Sequence, residues 1–210
     1  MITKRIVCIS GFQQDISTPT GIESLWMKLR DLHQSKECAV CLHPWNYKWA
    51  GFADHILRTG PEDPREMDIR IAAYSWGAGS ASIRFAKALK DRGMSIEIAV
   101  FSDPVYHSWW GLWRSLWSPL LGKPVVKIPK NVRNVWYVRQ QRFPPFGHEC
   151  VPEDYGATQV KDYGMLDRPH AWIDNAVEFH DLAMRAMLHV RGEVHHVSEQ
   201  NKRNLGEKGA

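Results

Sequence analysis

Long apolar runs are absent from the chain. Nothing approaches the roughly 18 consecutive apolar residues that a membrane-crossing helix needs, so a transmembrane helix is not expected. The opening MITKRIVCISGFQQD meets Gln13, Gln14 and Asp15 too soon to build the apolar region of a secretory signal, and it reads as a first strand. Cysteine is scarce: Cys8, Cys38, Cys41 and Cys150 are expected as free thiols in a reducing cytoplasm. Cys38 and Cys41 form a lone C-x-x-C close to His43. A zinc site needs a second ligand pair at motif spacing, and CAVCL reads as a buried strand, so neither metal nor redox chemistry is expected there. A formal net charge of +4 is too small to argue for nucleic acid. Locally, however, acidic residues are missing altogether between Pro104 and His148, where Arg114, Lys123, Lys127, Lys130, Arg133, Arg139 and Arg142 all lie. This predicts a positive face interleaved with aromatics over residues 105–147, suited to an anionic membrane surface and not to a specific nucleic acid.

What is present is an ordinary globular composition, 44% hydrophobic and 24% charged. A chain of 210 residues hides roughly 70% of its unfolded surface on folding. One domain is therefore expected over residues 1–190, with the polar stretch 191–210 as a flexible tail. Tryptophan is in excess, with ten in all, and Trp109, Trp110, Trp113 and Trp117 crowd into one short stretch.

Strand-length apolar runs alternate with helix-period segments, the pattern of a mostly parallel central sheet flanked by helices in a three-layer sandwich. The expected strands are Arg5 to Ser10, Cys38 to Leu42, Asp68 to Tyr74, Ile96 to Phe101 and Val132 to Gln140. The expected helices run from about Thr20 to Gln34 after Thr18 and Pro19, near Ala53 to Arg58, from Trp76 to Asp91, and from Asn175 to Val190.

The segment IRIAAYSWGAGSAS puts a serine at the end of a buried strand and at the mouth of a helix rich in small residues. In a nucleophile elbow, small residues two before and two after the serine let strand and helix approach, leaving the hydroxyl exposed on a strained turn. Around Ser75 those positions are Ala73 and Gly77, alanine standing where the motif has its first glycine. A serine hydroxyl attacks only if a base takes its proton, and the base needs a carboxylate to orient it. Asp103 ends the next strand, IEIAVFSD, before Pro104, and His170 lies in DRPHAWID ahead of the closing helix. The chain order Ser, acid, His is that of the elbow fold.

With AYSWGAG, the SDPV corner and HAWID together, the chain from about Lys4 to Val190 resembles the α/β-hydrolase family, in particular its small lipase-like, esterase and thioesterase-like members. The resemblance implies Ser75 as nucleophile, Asp103 as acid and His170 as base, with Asp103 in the position of the lipase-like variant. It also implies an oxyanion hole from the backbone amides of Trp76 and of Phe12 or Gln13, where Ser10-Gly11 replaces the usual His-Gly. A cap often follows the acid strand in this family. Trp109, Leu112, Trp113, Leu116 and Leu120 fall at helical spacing there, so residues 106–122, with Trp110 and Trp117, are expected as a lid or substrate pocket, unless that stripe is core.

Each assignment has a plainer competitor. Ser75 suits the N-cap of a helix starting at Trp76, Asp103 suits a turn before proline, and Asp174 suits a cap of the closing helix. A rival enzyme reading takes Gly77-Ala-Gly79-Ser-Ala-Ser82 as a degenerate dinucleotide fingerprint with Asp103 as the ribose carboxylate. Another reading is a catalytically silent hydrolase fold that binds through its basic and aromatic surface. The expectation is a serine hydrolase of a small-molecule or lipid ester or thioester, without metal or organic cofactor and with its oligomeric state undetermined.

Overall fold

A computed structural model of the chain describes residues 1–12, 20–105, 125–140 and 146–188. Gln13, Trp109, Trp110, Trp113 and Trp117, the cap expected over 106–122 and the tail over 191–210 lie outside the described residues.

Six strands form one parallel sheet: β1 (Lys4–Ile9), β2 (Cys38–His43), β3 (Asp68–Tyr74), β4 (Ile96–Ser102), β6 (Val132–Arg139) and β8 (Gln159–Met165), in the order β2-β1-β3-β4-β6-β8. Two further strands, β5 (Val125–Ile128) and β7 (Glu149–Pro152), pair in parallel with each other. Such strands are buried on both faces, which is why IVCI, IRIAAY and IEIAVF read as nearly continuous apolar runs. Along β1, Val7 and Ile9 point to one face, where they join Phe52 and Ile56 of α2 (Trp49–Thr59) and Phe85 and Leu89 of α3 (Ser82–Lys90). Ile6 and Cys8 point to the other, with Leu25 and Leu29 of α1 (Gly21–His33) and Phe179 and Ala183 of α4 (Val177–Leu188). The result is the expected three-layer sandwich. The direction of winding reverses between β1 and β3, and the crevice opened there at the carboxyl ends of the strands is where such sheets place their sites.

Local chemistry fixes the ends of the elements. Thr20 caps α1 with a capping box: Thr20 Oγ1 accepts from Glu23 N at 3.3 Å, and Glu23 Oε2 accepts from Thr20 N at 3.0 Å. Asp174, which suits a cap of the closing helix by sequence, reaches this first helix, its Oδ2 accepting from Ile22 N at 3.2 Å. Gly21 allows the approach, since a Cβ there would stand 2.2 Å from the Asp174 carbonyl. Arg70 is buried in β3. It pairs with Asp68 at 2.8 Å and donates to the carbonyls of Ala186 and Met187, which docks the end of α4.

The helix expected from Trp76 is not uniform. It opens with a π-helical turn, Gly77–Ala81, before α3 begins at Ser82, and such turns cluster at functional sites. Helix α2 starts at Trp49, earlier than expected, because Trp49 and Phe52 belong to the aromatic core around Phe85. Cys38 and Cys41, three residues apart on β2, point to opposite faces of the sheet, so C-x-x-C cannot close on one metal here. All four cysteines are free, and burial pushes the Cys41 thiol up to about 12. Among the described residues no helix is long and apolar enough to cross a membrane, and no His, Cys, Asp and Glu cluster could hold a metal ion.

A second close backbone approach lies at Gly77, where a Cβ would stand 2.5 Å from Ser10 O and 2.7 Å from Ile9 O. Gly77→Ala is expected to destabilise the protein by about 2–3 kcal/mol in urea titration; an unchanged midpoint would mean that β1 yields freely. His43, its ring stacked on Tyr47 at 4.0 Å, has its pKa lowered to about 4 by burial and then by Arg5. It stays neutral in the fold but protonates below about 6.5 when unfolded. Its contribution is therefore complete above pH 6.5 and declines as pH falls toward 4, by up to about 3 kcal/mol. His43→Asn should flatten that part of the stability curve, and parallel curves for the two proteins would refute the linkage.

Candidate active site

Ser75 follows β3 directly, and its backbone is left-handed, φ 53°. Asp103 follows β4 and is left-handed too, φ 46°. They are the only residues other than glycine with positive φ among the described residues. A non-glycine residue in that conformation costs on the order of 1–3 kcal/mol, and such strain concentrates at functional sites. Here it turns the chain sharply off the ends of two adjacent strands. Ladder bonds hold both turns: Ser75 N donates to Ser102 O at 3.0 Å, and Asp103 N to Val138 O at 2.8 Å. The Ser75 carbonyl accepts from Gly79 N at 2.9 Å and Val105 N at 3.1 Å.

Three side chains named from the sequence meet at this edge. The Ser75 hydroxyl lies 2.9 Å from His170 Nε2, and His170 Nδ1 is hydrogen-bonded to Asp103 Oδ2. An ionised carboxylate only accepts, so the proton belongs on Nδ1, which leaves Nε2 to accept from the hydroxyl. The N-cap of the turn Gly77–Ala81 is Trp76, with no side-chain cap bond, and the Ser75 hydroxyl is turned to the imidazole. Asp103 is more than a turn residue. It is fully buried, and its other bonds come from Gln140, whose N donates to Oδ1 at 3.0 Å and whose Nε2 donates to Oδ2 at 3.3 Å.

That burial also answers the dinucleotide reading, because a carboxylate enclosed by His170 and Gln140 cannot receive a ribose. Gly77, moreover, is pressed against the carbonyls of β1 and leaves no room for a pyrophosphate between them.

Gln140, Tyr74 and Gly147 were not singled out from the sequence. Tyr74 Oη donates to the His170 carbonyl at 2.7 Å, and the two rings lie 5.1 Å apart. Burial, with Asp174 and Asp103 nearby, pushes the Tyr74 phenol up, so it remains a neutral donor. Gly147 presses on the acid: a Cβ there would stand 1.9 Å from Asp103 Oδ1. The amide of His148 donates to Pro104 O at 2.7 Å and ties that loop to the acid corner. Only Gln140 left a trace in the sequence, as the polar residue closing an apolar-alternating strand beside the acid strand.

Of the oxyanion candidates, Trp76 is the residue after the elbow serine. Phe12 is half-exposed, with its ring 4.7 Å from that of Trp76. Gly11, just before Phe12, lies so close to the elbow that a Cβ would be 3.1 Å from Ser75 Cβ.

No family model matches the chain, and no curated protein matches it. Among solved structures it is similar to the RedJ thioesterase from the prodiginine biosynthetic pathway in Streptomyces coelicolor, at 12% identity over 88% of this chain and 84% of that one, with a TM-score of 0.47. It is also similar to the SrfTE thioesterase domain, described for cyclization of the lipopeptide antibiotic surfactin, at 15% identity over 88% of this chain and 90% of that one, with a TM-score of 0.44. The functional reading rests on the site's own geometry.

Of the basic residues between Pro104 and His148, Arg133 faces Glu97 at 3.6 Å, and Arg139 pairs with Glu149 at 3.3 Å and with Asp162. Part of the positive charge expected on that face is therefore neutralised within the fold.

Crowding at Gly147 yields a direct test of the acid's position. Wild-type His170 is expected to hold the Nδ1–H tautomer in nitrogen NMR spectra, and Gly147→Ala, which displaces the Asp103 carboxylate, to give a mixture. An unchanged tautomer in the variant would show that the carboxylate does not depend on this glycine.

Proposed function

We propose that the protein is a serine hydrolase that cleaves a carboxylic ester or thioester through an acyl-enzyme. The observation that carries this reading is the continuous hydrogen-bonded chain from the Ser75 hydroxyl through His170 to the buried Asp103. Its two strained residues at the crevice of the sheet support it.

In this mechanism His170 Nε2 takes the Ser75 proton as Oγ attacks the carbonyl carbon. Asp103, fixed by the two hydrogen bonds from Gln140, holds the tautomer and stabilises the imidazolium that forms. The negative oxygen of the tetrahedral intermediate is met by the amides of Trp76 and Phe12, each such donor supplying about 3 kcal/mol of barrier lowering. The imidazolium then protonates the departing alcohol or thiol. Water, deprotonated by the same nitrogen, attacks the acyl-enzyme and restores Ser75.

A fluorophosphonate probe should label Ser75, and labelling should disappear in Ser75→Ala. Asp103→Asn should lower ester turnover about 10⁴-fold through the wrong tautomer, and His170→Ala by a comparable or greater factor. Absence of labelling in folded wild-type protein would overturn the hydrolase assignment in favour of a silent fold used for binding. Near-normal turnover in either of the other variants would remove that residue from the mechanism.

A further inference from the structure

Three aromatic rings from three different connections meet beside the elbow. Phe12 follows β1, Trp45 follows β2, and Trp76 follows Ser75 itself. Their centroids lie 5.5 Å apart for Phe12 and Trp45, 4.7 Å for Phe12 and Trp76, and 4.9 Å for Trp45 and Trp76. All three contacts are tilted or edge-on, the arrangement that aromatic pairs favour. Phe12 is 48% exposed and the two tryptophans are partly exposed, so the cluster rests on the core through Trp45 while keeping part of its rings at the surface.

The cluster is also held in place. The Trp45 carbonyl accepts from Arg84 Nη2 at 2.8 Å and from Trp49 Nε1 at 3.3 Å, and Ser10 N donates to His43 O at 3.1 Å, tying the connections after β1 and β2 together. A rigid apolar surface beside a reactive hydroxyl loses little entropy when a ligand covers it. Contact with the nucleophile runs through both neighbours: Trp76 is bonded to Ser75, and Gly11 lies against the Ser75 side chain.

We propose that the rings of Phe12, Trp45 and Trp76 form an apolar subsite for the acyl chain, so that the substrates are esters or thioesters of medium-chain apolar acids. This inference rests on the serine hydrolase reading for its chemistry, but the binding it predicts is measurable without turnover.

With a constant leaving group, p-nitrophenyl acetate and hexanoate differ only in acyl methylenes, each able to add up to about fourfold in binding when buried. Wild-type kcat/KM should favour hexanoate, and both Phe12→Ala and Trp45→Ala should lower the hexanoate-to-acetate ratio about tenfold. The half-exposed Phe12 is the variant least exposed to misfolding. An equal fall for both esters would assign the residues to the leaving group or the oxyanion loop, and unchanged kcat/KM for both would leave the rings structural; either overturns the subsite. Calorimetry on Ser75→Ala, which cannot turn over, separates the two readings. Binding of p-nitrophenyl hexanoate that weakens about tenfold in Ser75→Ala/Phe12→Ala supports the subsite even where wild-type protein hydrolyses nothing. No binding to Ser75→Ala would overturn it even where Ser75 proves to be the nucleophile.

Discussion

A carboxylate with no contact with solvent survives only if donors replace the water it gave up, since an uncompensated buried charge costs several kcal/mol. Asp103 is such a group, and every element near it is arranged around that need. The parallel register of β4 and β6 sets Ser102 beside Val138, so that Gln140, just past the end of β6, presents both its amide and its side chain to the carboxylate. The remaining donor is the imidazole of His170, which thereby has its tautomer chosen for it. Gly147 leaves the space that the arrangement occupies.

The elbow depends on the same economy of space. Ser75 and Asp103 end neighbouring strands in left-handed turns, and a turn of that kind lifts a side chain off the sheet edge instead of letting it continue along the ladder. The cost is offset because neither residue gives up its ladder bond: each amide still finds the carbonyl of the adjacent strand. The π-helical turn then brings Gly77 under the end of β1, where only a missing side chain fits. Strain in the backbone and close packing beneath it are two sides of one local solution.

Much of this was legible in the sequence. Strands buried on both faces announce themselves as unbroken apolar runs, and β1, β3 and β4 start and end within about one residue of expectation. The strand β8 was missed because, at the sheet's edge, QVKDYGM has no fully buried position and hence no apolar run or alternation to read. The pair β5 and β7 escaped for another reason, each having only four residues. Ser75, Asp103 and His170 could be named because elbow, corner and chain order constrain one another. Tyr74 and Gly147 could not, because their roles exist only once distant segments pack: a tyrosine ending a strand and a glycine in a loop carry no mark of the groups they will touch. The contact of Asp174 with α1 was hidden for the same reason. Asp174 lies beside α4 in sequence, but the fold brings the start of α1 to it.

The order of strands also sorts the site into two halves. Residues following β1, β2 and β3 supply Phe12, Trp45 and Trp76 on one side of Ser75, and residues following β4, β6 and β8 supply Asp103, Gln140 and His170 on the other. The histidine comes farthest. Its strand is three places from β3, roughly 14 Å at ordinary strand spacing, so the chain after β8 must travel back across β6 and β4. Two contacts make that return: Leu166 N donates to Arg139 O at 2.8 Å as the chain leaves β8, and Tyr74, the residue before the serine, takes hold of the His170 carbonyl. Tyr74 thus binds the backbone of one partner while its own strand carries the other, which adds a backbone anchor for the histidine to the bonds its ring makes with Ser75 and Asp103.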